Sequence, residues 1–146
     1  MAVIVVLVGL PGSGKSTWLA QRNGGGLSSD EVRRWLSDDP TNQNIHRRVF
    51  ATIRYLLRHR LELGRPYTFI DATNLTRKDR RPYIKIAELY DCEVEAVFFD
   101  VPIEVCQARN RARSRVVPEL AFQEMARRLV APSLAEGFSR VTVVTA

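Results

Sequence analysis

Residues 3–17 read VIVVLVGLPGSGKST. The first six residues are apolar and mostly β-branched, which predicts a strand buried on both faces of a parallel sheet. The next nine, Gly9 to Thr17, match in full the phosphate-binding pattern of Gly, four variable residues, Gly, Lys and Ser or Thr. A strand that runs directly into this loop is the context that the motif requires. The stretch therefore predicts an α/β fold built around a phosphate-binding loop (P-loop).

The residue types of the loop suit the binding of a nucleoside triphosphate. Glycine permits backbone angles closed to other residues, so the N–H groups of Gly12, Ser13 and Gly14 can turn toward a phosphate. We expect Lys15 to contact the β- and γ-phosphates of ATP, and the Ser16 hydroxyl to ligate Mg²⁺. The helix that starts near Lys15 and includes Thr17 adds the positive end of its dipole. The alternative is a Gly-rich turn that binds no ligand.

Composition sets the broad class of protein. With 146 residues we expect one domain over residues 1–146, and 45% hydrophobic and 26% charged residues are typical of a soluble globular chain. Cys92 and Cys106 lack metal-ligand spacing, which favours reduced structural thiols and a cytoplasmic protein. A net charge of +6 favours an anionic partner, either a nucleotide or a nucleic acid.

Strand and helix patterns alternate along the rest of the chain, which predicts a central parallel sheet with helices on both faces. Strands are expected at about 26–28, 67–71, 93–100 and 140–145, and the longest amphipathic helix at about 44–63. We expect the Gly24-Gly25-Gly26 cluster to end the first helix, and Val32, Trp35 and Leu36 to form the buried side of the second.

Asp30 and Arg33 are the first candidates for acceptor chemistry. They lie three residues apart at a predicted helix start, just beyond a strand end, where α/β sheets have their clefts. Asp30 could take the proton of an attacking hydroxyl while Arg33 binds an acceptor phosphate. An equally open alternative is that Asp30 only caps the helix and Arg33 is solvated.

Asp71 ends a predicted core strand and is a second candidate carboxylate. It could hold a magnesium-bound water or orient the acceptor. Asp100 ends another apolar strand and competes for this role. We favour Asp71 because Thr73 and Asn74 add hydrogen-bonding groups in the same turn.

A dense group of arginines predicts a lid over the nucleotide, at about residues 109–130. Arginine donors suit the dispersed charge of a transferring phosphoryl group, and closure of a lid would exclude water. The alternative is a basic, solvated helix. The four arginines are Arg109, Arg111, Arg113 and Arg115.

With these residues assembled, the chain resembles the polynucleotide 5′-hydroxyl kinase branch of the P-loop kinases. The resemblance covers essentially the whole chain. The motifs that carry it are Gly9 to Trp18, Ser29-Asp30-Glu31-Val32-Arg33, Asp71-Ala72-Thr73-Asn74-Leu75, Asp100-Val101-Pro102, and Arg109-Asn110-Arg111-Ala112-Arg113 leading to Val117-Pro118.

The resemblance implies a role for each motif. Lys15 and Ser16 would handle the donor phosphates and Mg²⁺, and Asp30 would be the general base. Arg33 would bind the acceptor's 3′-phosphate, and Asp71 would belong to the acceptor network. Arg113 would be the lid arginine, a role that Arg109, Arg111 or Arg115 takes if the register slips.

Three functions follow as expectations from these residues. The first is ATP-dependent phosphorylation of a 5′-hydroxyl end of DNA or RNA. The second is phosphorylation of a small-molecule hydroxyl, with the same Asp30 base and a different acceptor pocket. The third is a nucleotide-dependent switch without acceptor chemistry, which leaves Asp30 and Arg33 together without a role.

Overall fold

The computed structural model describes residues 2–22, 26–113 and 116–145. The strands are β1 (Val3–Val8), β2 (Gly26–Ser28), β3 (Tyr67–Asp71), β4 (Glu93–Asp100) and β5 (Arg140–Thr145). The helices are α1 (Lys15–Ala20), α2 (Ser29–Ser37), α3 (His46–Glu62), α4 (Arg77–Leu89), α5 (Ile103–Ala112) and α6 (Glu119–Arg128), and a 3₁₀ turn spans Leu134–Glu136.

The strands form one parallel sheet in the order β2-β3-β1-β4-β5. The β1 strand lies at its centre and is buried along its whole length, as the continuous apolar run predicts. Because the order reverses on either side of β1, a cleft opens at the carboxyl ends of β1 and its neighbours. The predicted α/β architecture is confirmed.

Alternate residues of β1 enter two different cores. Ile4, Val6 and Val8 pack with buried residues of α2, α3 and α4 on one face of the sheet. Val3, Val5 and Leu7 pack on the other face, against the partly buried Trp18 and Leu19 of α1. A third cluster, around Leu10, Leu75, Val101, Cys106 and Phe122, joins the start of the P-loop to α5 and α6. The P-loop is therefore fixed by packing on both sides.

The expected buried side of α2 is partly wrong. Val32 is buried, but Trp35 is 58% exposed and Leu36 is 50% exposed, whereas Arg33 is only 4% exposed. Trp35 lies about 200° around the helix axis from Arg33, so the two cannot share a face. Leu36 belongs to the last turn of the helix.

One other expectation concerns the end of α1. Gly26 is the first residue of β2 and is not part of a helix stop, while Gly24 and Gly25 lie outside the described residues. In the described part of the chain, no helix is long and apolar enough to cross a membrane.

Candidate active site

The P-loop has the backbone geometry of an anion cradle. Gly12 and Gly14 have φ angles of +82° and +100°, in the left-handed region that favours glycine. A Cβ atom at Gly12 would lie 2.6 Å from the carbonyl oxygen of Cys106 in α5. Gly12 therefore also permits close contact between the loop and α5. Ser13 is buried, and its Oγ has no hydrogen-bond partner among the described residues, as expected of a group that faces a ligand.

Lys15 lies within this cradle. Its Nζ donates hydrogen bonds to the carbonyl oxygens of Gly9 at 2.8 Å and Leu10 at 2.9 Å. Burial lowers the pKa of Lys15 to about 8, against the attraction of the Asp71 and Asp30 carboxylates. A bound phosphate would therefore stabilise the protonated, positively charged form of Lys15.

Asp30 and Arg33 lie on the wall of the same cleft. The helix cap is Ser28, whose hydroxyl accepts a hydrogen bond from the Glu31 N–H, so the capping role left open for Asp30 belongs to another residue. Arg33 Nη1 lies 3.6 Å from Asp30 Oδ1. Arg33 is almost fully buried, which rules out the solvated alternative.

Asp71 lines the cleft. Asp100, the last residue of β4, is exposed and does not line the cleft. Burial raises the pKa of Asp71, opposed by the nearby charge of Lys15. Thr73 also lines the cleft, and its backbone carbonyl oxygen accepts a hydrogen bond from the N–H of Gly9 at 3.1 Å. Asp71 and Thr73 are therefore placed beside the P-loop.

Asn74 requires a correction, because it does not line the cleft. Its side chain is buried, and its Nδ2 donates to the carbonyl oxygen of Leu7 in β1 at 2.7 Å. Its backbone has a φ of +48°, a conformation that Asn tolerates better than most residues. Asn74 thus holds the turn after β3 against the central strand.

The arginines of α5 divide into two groups. Arg109 and Arg113 line the cleft, and Arg109 Nη1 donates to the carbonyl oxygen of Gly12 at 3.4 Å. Arg113, the residue that ends α5, lies close enough to Lys15 and Asp71 to lower the pKa of both. Arg111 instead forms an exposed ion pair with Glu119 at 3.6 Å.

Arg115, the remaining candidate for the lid, lies outside the described residues. The buried side chain of Asn110 holds the returning chain, because its amide donates to the Val117 carbonyl oxygen at 2.9 Å and accepts from the Val117 N–H at 3.0 Å. Asn110 therefore fixes Val117 beside α5. Apolar residues of this segment and of α6 line the cleft: Val116, Val117, Pro118, Ala121 and Met125.

Sequence reasoning missed a buried ion pair next to the site. Arg80 in α4 is fully buried and forms two 2.9 Å contacts to Glu136. Its Nη1 also donates to the carbonyl oxygens of Asn74, Leu75 and Val130. Arg80 thereby ties the turn after β3 to the chain just beyond α6. The only signal in the sequence was that Arg80 shares the buried side of α4 with apolar residues.

The residues of the cleft, which has a volume of about 1100 Å³, fit a nucleotide with its metal ion. The left-handed glycines, the orphaned Ser13 hydroxyl and Lys15 would hold phosphates, and Ser16 would contribute to Mg²⁺ coordination. Among the described residues, no group of three or more His, Cys, Asp or Glu side chains could hold a metal ion.

The chain has a P-loop kinase fold. This fold combines the unit of strand, P-loop and helix with a parallel sheet and with arginine-bearing helices over the cleft. More particularly, the chain belongs to the family described as AAA domain, whose model matches residues 4–132.

Comparison with individual proteins agrees with this class. A Schizosaccharomyces pombe protein named bifunctional polynucleotide phosphatase/kinase is 29% identical over 150 residues, which cover 97% of this chain and 33% of that protein. Kti12 from Chaetomium thermophilum, solved in complex with ADP-AlF3, has a TM-score of 0.68 at 15% identity. The match covers 97% of this chain and 88% of the Kti12 chain. A gluconokinase from Sinorhizobium meliloti 1021 has a TM-score of 0.61 at 20% identity, with coverages of 97% and 81%. The chain therefore spans a third of its S. pombe relative.

Proposed function

We propose that the protein is a kinase that transfers the γ-phosphoryl group of ATP to the 5′-hydroxyl of DNA or RNA. The observation that carries the proposal is that Asp30 and the buried Arg33 line one cleft with the P-loop. A carboxylate and a guanidinium 3.6 Å apart suit an acceptor that has both a hydroxyl and a phosphate. The net charge of +6 and the similarity to the S. pombe polynucleotide phosphatase/kinase support a nucleic-acid acceptor.

In the proposed reaction, the P-loop and Lys15 bind the donor phosphates. The Ser16 hydroxyl would help to hold Mg²⁺, which would neutralise phosphate charge when bound. Asp30 accepts the proton of the acceptor 5′-hydroxyl as the oxygen attacks the γ-phosphorus, and the P–O bond to ADP breaks. Arg109 and Arg113 stabilise the charge on the transferring group, and Asp71 orients Lys15 and the acceptor.

Asp30→Asn tests the role of the general base. The isosteric amide cannot accept the proton, so kcat for a 5′-hydroxyl oligonucleotide should fall by about a hundredfold or more, with ATP binding nearly unchanged. Glu31→Gln, in the same helix turn but absent from the cleft lining, is the matched control. Equal kcat values for Asp30→Asn and the native protein would refute this mechanism.

The same assay separates the proposal from its main alternative. Labelled ATP is incubated with the protein, Mg²⁺, 5′-hydroxyl oligonucleotides and a panel of hydroxylated metabolites. Label transferred only to a metabolite would assign a small-molecule kinase, such as the structurally similar gluconokinase. ATP hydrolysis unaffected by every acceptor would assign a nucleotide switch.

A further inference from the structure

His46 lies directly beside the proposed acceptor site. It is the first residue of α3 and lines the cleft together with Asp30, Arg33 and Phe50. Its Nδ1 lies 3.5 Å from Arg33 Nη2, and its ring packs against Phe50 with a centroid separation of 4.8 Å. A guanidinium can only donate hydrogen bonds, so this contact is a hydrogen bond in the tautomer whose Nδ1 carries no proton.

The surroundings of His46 favour the neutral form of the imidazole. Burial and the charge of Arg33 in α2 lower the pKa of His46, and Arg128 at the end of α6 acts in the same direction. Asp79 in the first turn of α4 opposes them with a smaller effect than Arg33. The position of His46 at the start of α3 also places it at the positive end of the helix dipole.

We propose that His46 and Arg33 together bind the acceptor's phosphate, and that His46 takes up one proton from solvent when the phosphate binds. A phosphate placed between them neutralises the Arg33 charge that keeps the imidazole neutral. The proton enters at Nδ1, which then donates a charge-assisted hydrogen bond to a phosphate oxygen. Acceptor affinity therefore rises as pH falls through the range in which His46 titrates.

This inference rests on the proposed function, because it identifies the acceptor as an anion recognised beside Asp30. The inference also goes beyond the proposed function, because a single arginine would bind phosphate independently of pH. The almost fully buried position of Arg33 and the place of His46 on the cleft wall give the two groups different tasks. Arg33 supplies a permanent charge, and His46 supplies a charge only when the anion is present.

Proton NMR gives a direct test, since the chain contains two histidines. A His59→Gln variant assigns the two imidazole signals, because His59 lies on α3 but does not line the cleft. The titration is run with Mg²⁺ and a non-hydrolysable ATP analogue, which fill the P-loop. Sulfate and a 5′-hydroxyl dinucleotide serve as probes, because neither a sulfate nor a phosphodiester changes its charge between pH 5 and 8. The His46 pKa should rise by about one pH unit or more with either probe, while the His59 signals should not respond to the probes.

Steady-state kinetics give a second readout. His46→Gln should raise KM for the dinucleotide about tenfold at pH 6, leave kcat within about twofold, and remove the pH dependence of KM. His59→Gln should behave as the native protein does. Thermal unfolding of both variants checks that the fold is kept.

Two failures are distinguishable. If neither sulfate nor dinucleotide moves the His46 pKa and His46→Gln keeps the native KM, the inference is wrong even where oligonucleotides are phosphorylated. If sulfate raises the His46 pKa but no oligonucleotide accepts phosphate, the anion site stands and the proposed polynucleotide acceptor is wrong.

Discussion

Replacing Arg80 by Met should destabilise the whole fold. The change removes two contacts of 2.9 Å to Glu136 and the donors to three carbonyl oxygens, and it leaves the Glu136 carboxylate, only 5% exposed, without its partner. Breaking a buried pair from one side costs about 3–5 kcal/mol. In a chain of this size, that corresponds to a fall in Tm on the order of 10 °C.

Urea unfolding followed by circular dichroism measures this loss. Arg81→Met is the matched control, because Arg81 is exposed on the same helix and should cost less than about 0.5 kcal/mol. Replacing both partners, with Arg80→Met and Glu136→Leu, should recover part of the loss, since no charge then remains buried alone. An Arg80→Met protein within about 1 kcal/mol of the Arg81→Met control would refute the proposed role of this ion pair.

Three further changes test the P-loop and its supports. Gly12→Ala should sharply weaken ATP binding and lower stability. Gly64→Ala is its control, because Gly64 has a φ of +75° and no atom lies within 4 Å of a Cβ placed there. This control should cost only the backbone strain of about 1 kcal/mol. Asn74→Ala should lower the free energy of unfolding by about 2–3 kcal/mol while acceptor KM stays near the native value. ATP affinity should fall as pH rises above about 8, where unliganded Lys15 loses its proton, and Lys15→Met should remove this dependence.

Calorimetry and chemical denaturation check these changes. Equal losses for the two glycine variants would show that the contact with Cys106 is unimportant. A large rise in acceptor KM for a fully folded Asn74→Ala protein would return Asn74 to the acceptor site. ATP affinity that is constant from pH 7 to 9.5 would contradict the role of Lys15 as a titrating phosphate ligand.

The sequence predicted the features that depend on local pattern. The apolar run of β1 and the motif after it together determine the phosphate-binding loop, because the motif fixes backbone geometry over a few residues. The carboxylates of Asp30 and Asp71 follow strand ends, and parallel strands bring such ends to one edge of the sheet. These parts of the site could therefore be read from the sequence.

The remaining features depend on contacts between distant segments. Arg80 meets Glu136 across 56 residues, and His46 meets Arg33 across 13, so neither pair has a local signature. Asn74 has the same polar groups as a ligand-binding residue, and only its contact with Leu7 shows that they face the core. The error on α2 arose because hydrophobicity favoured Trp35 where the fold buries Arg33.

The central claim is that the P-loop binds ATP while Asp30 activates a 5′-hydroxyl acceptor in the same cleft. Transfer of label from [γ-³²P]ATP to a 5′-hydroxyl oligonucleotide tests it most directly. The native protein should label the oligonucleotide in the presence of Mg²⁺, and an oligonucleotide that already has a 5′-phosphate should stay unlabelled. The Asp30→Asn variant should bind ATP and transfer almost nothing. No label on any 5′-hydroxyl end, or equal labelling by the native protein and Asp30→Asn, would contradict the proposed function.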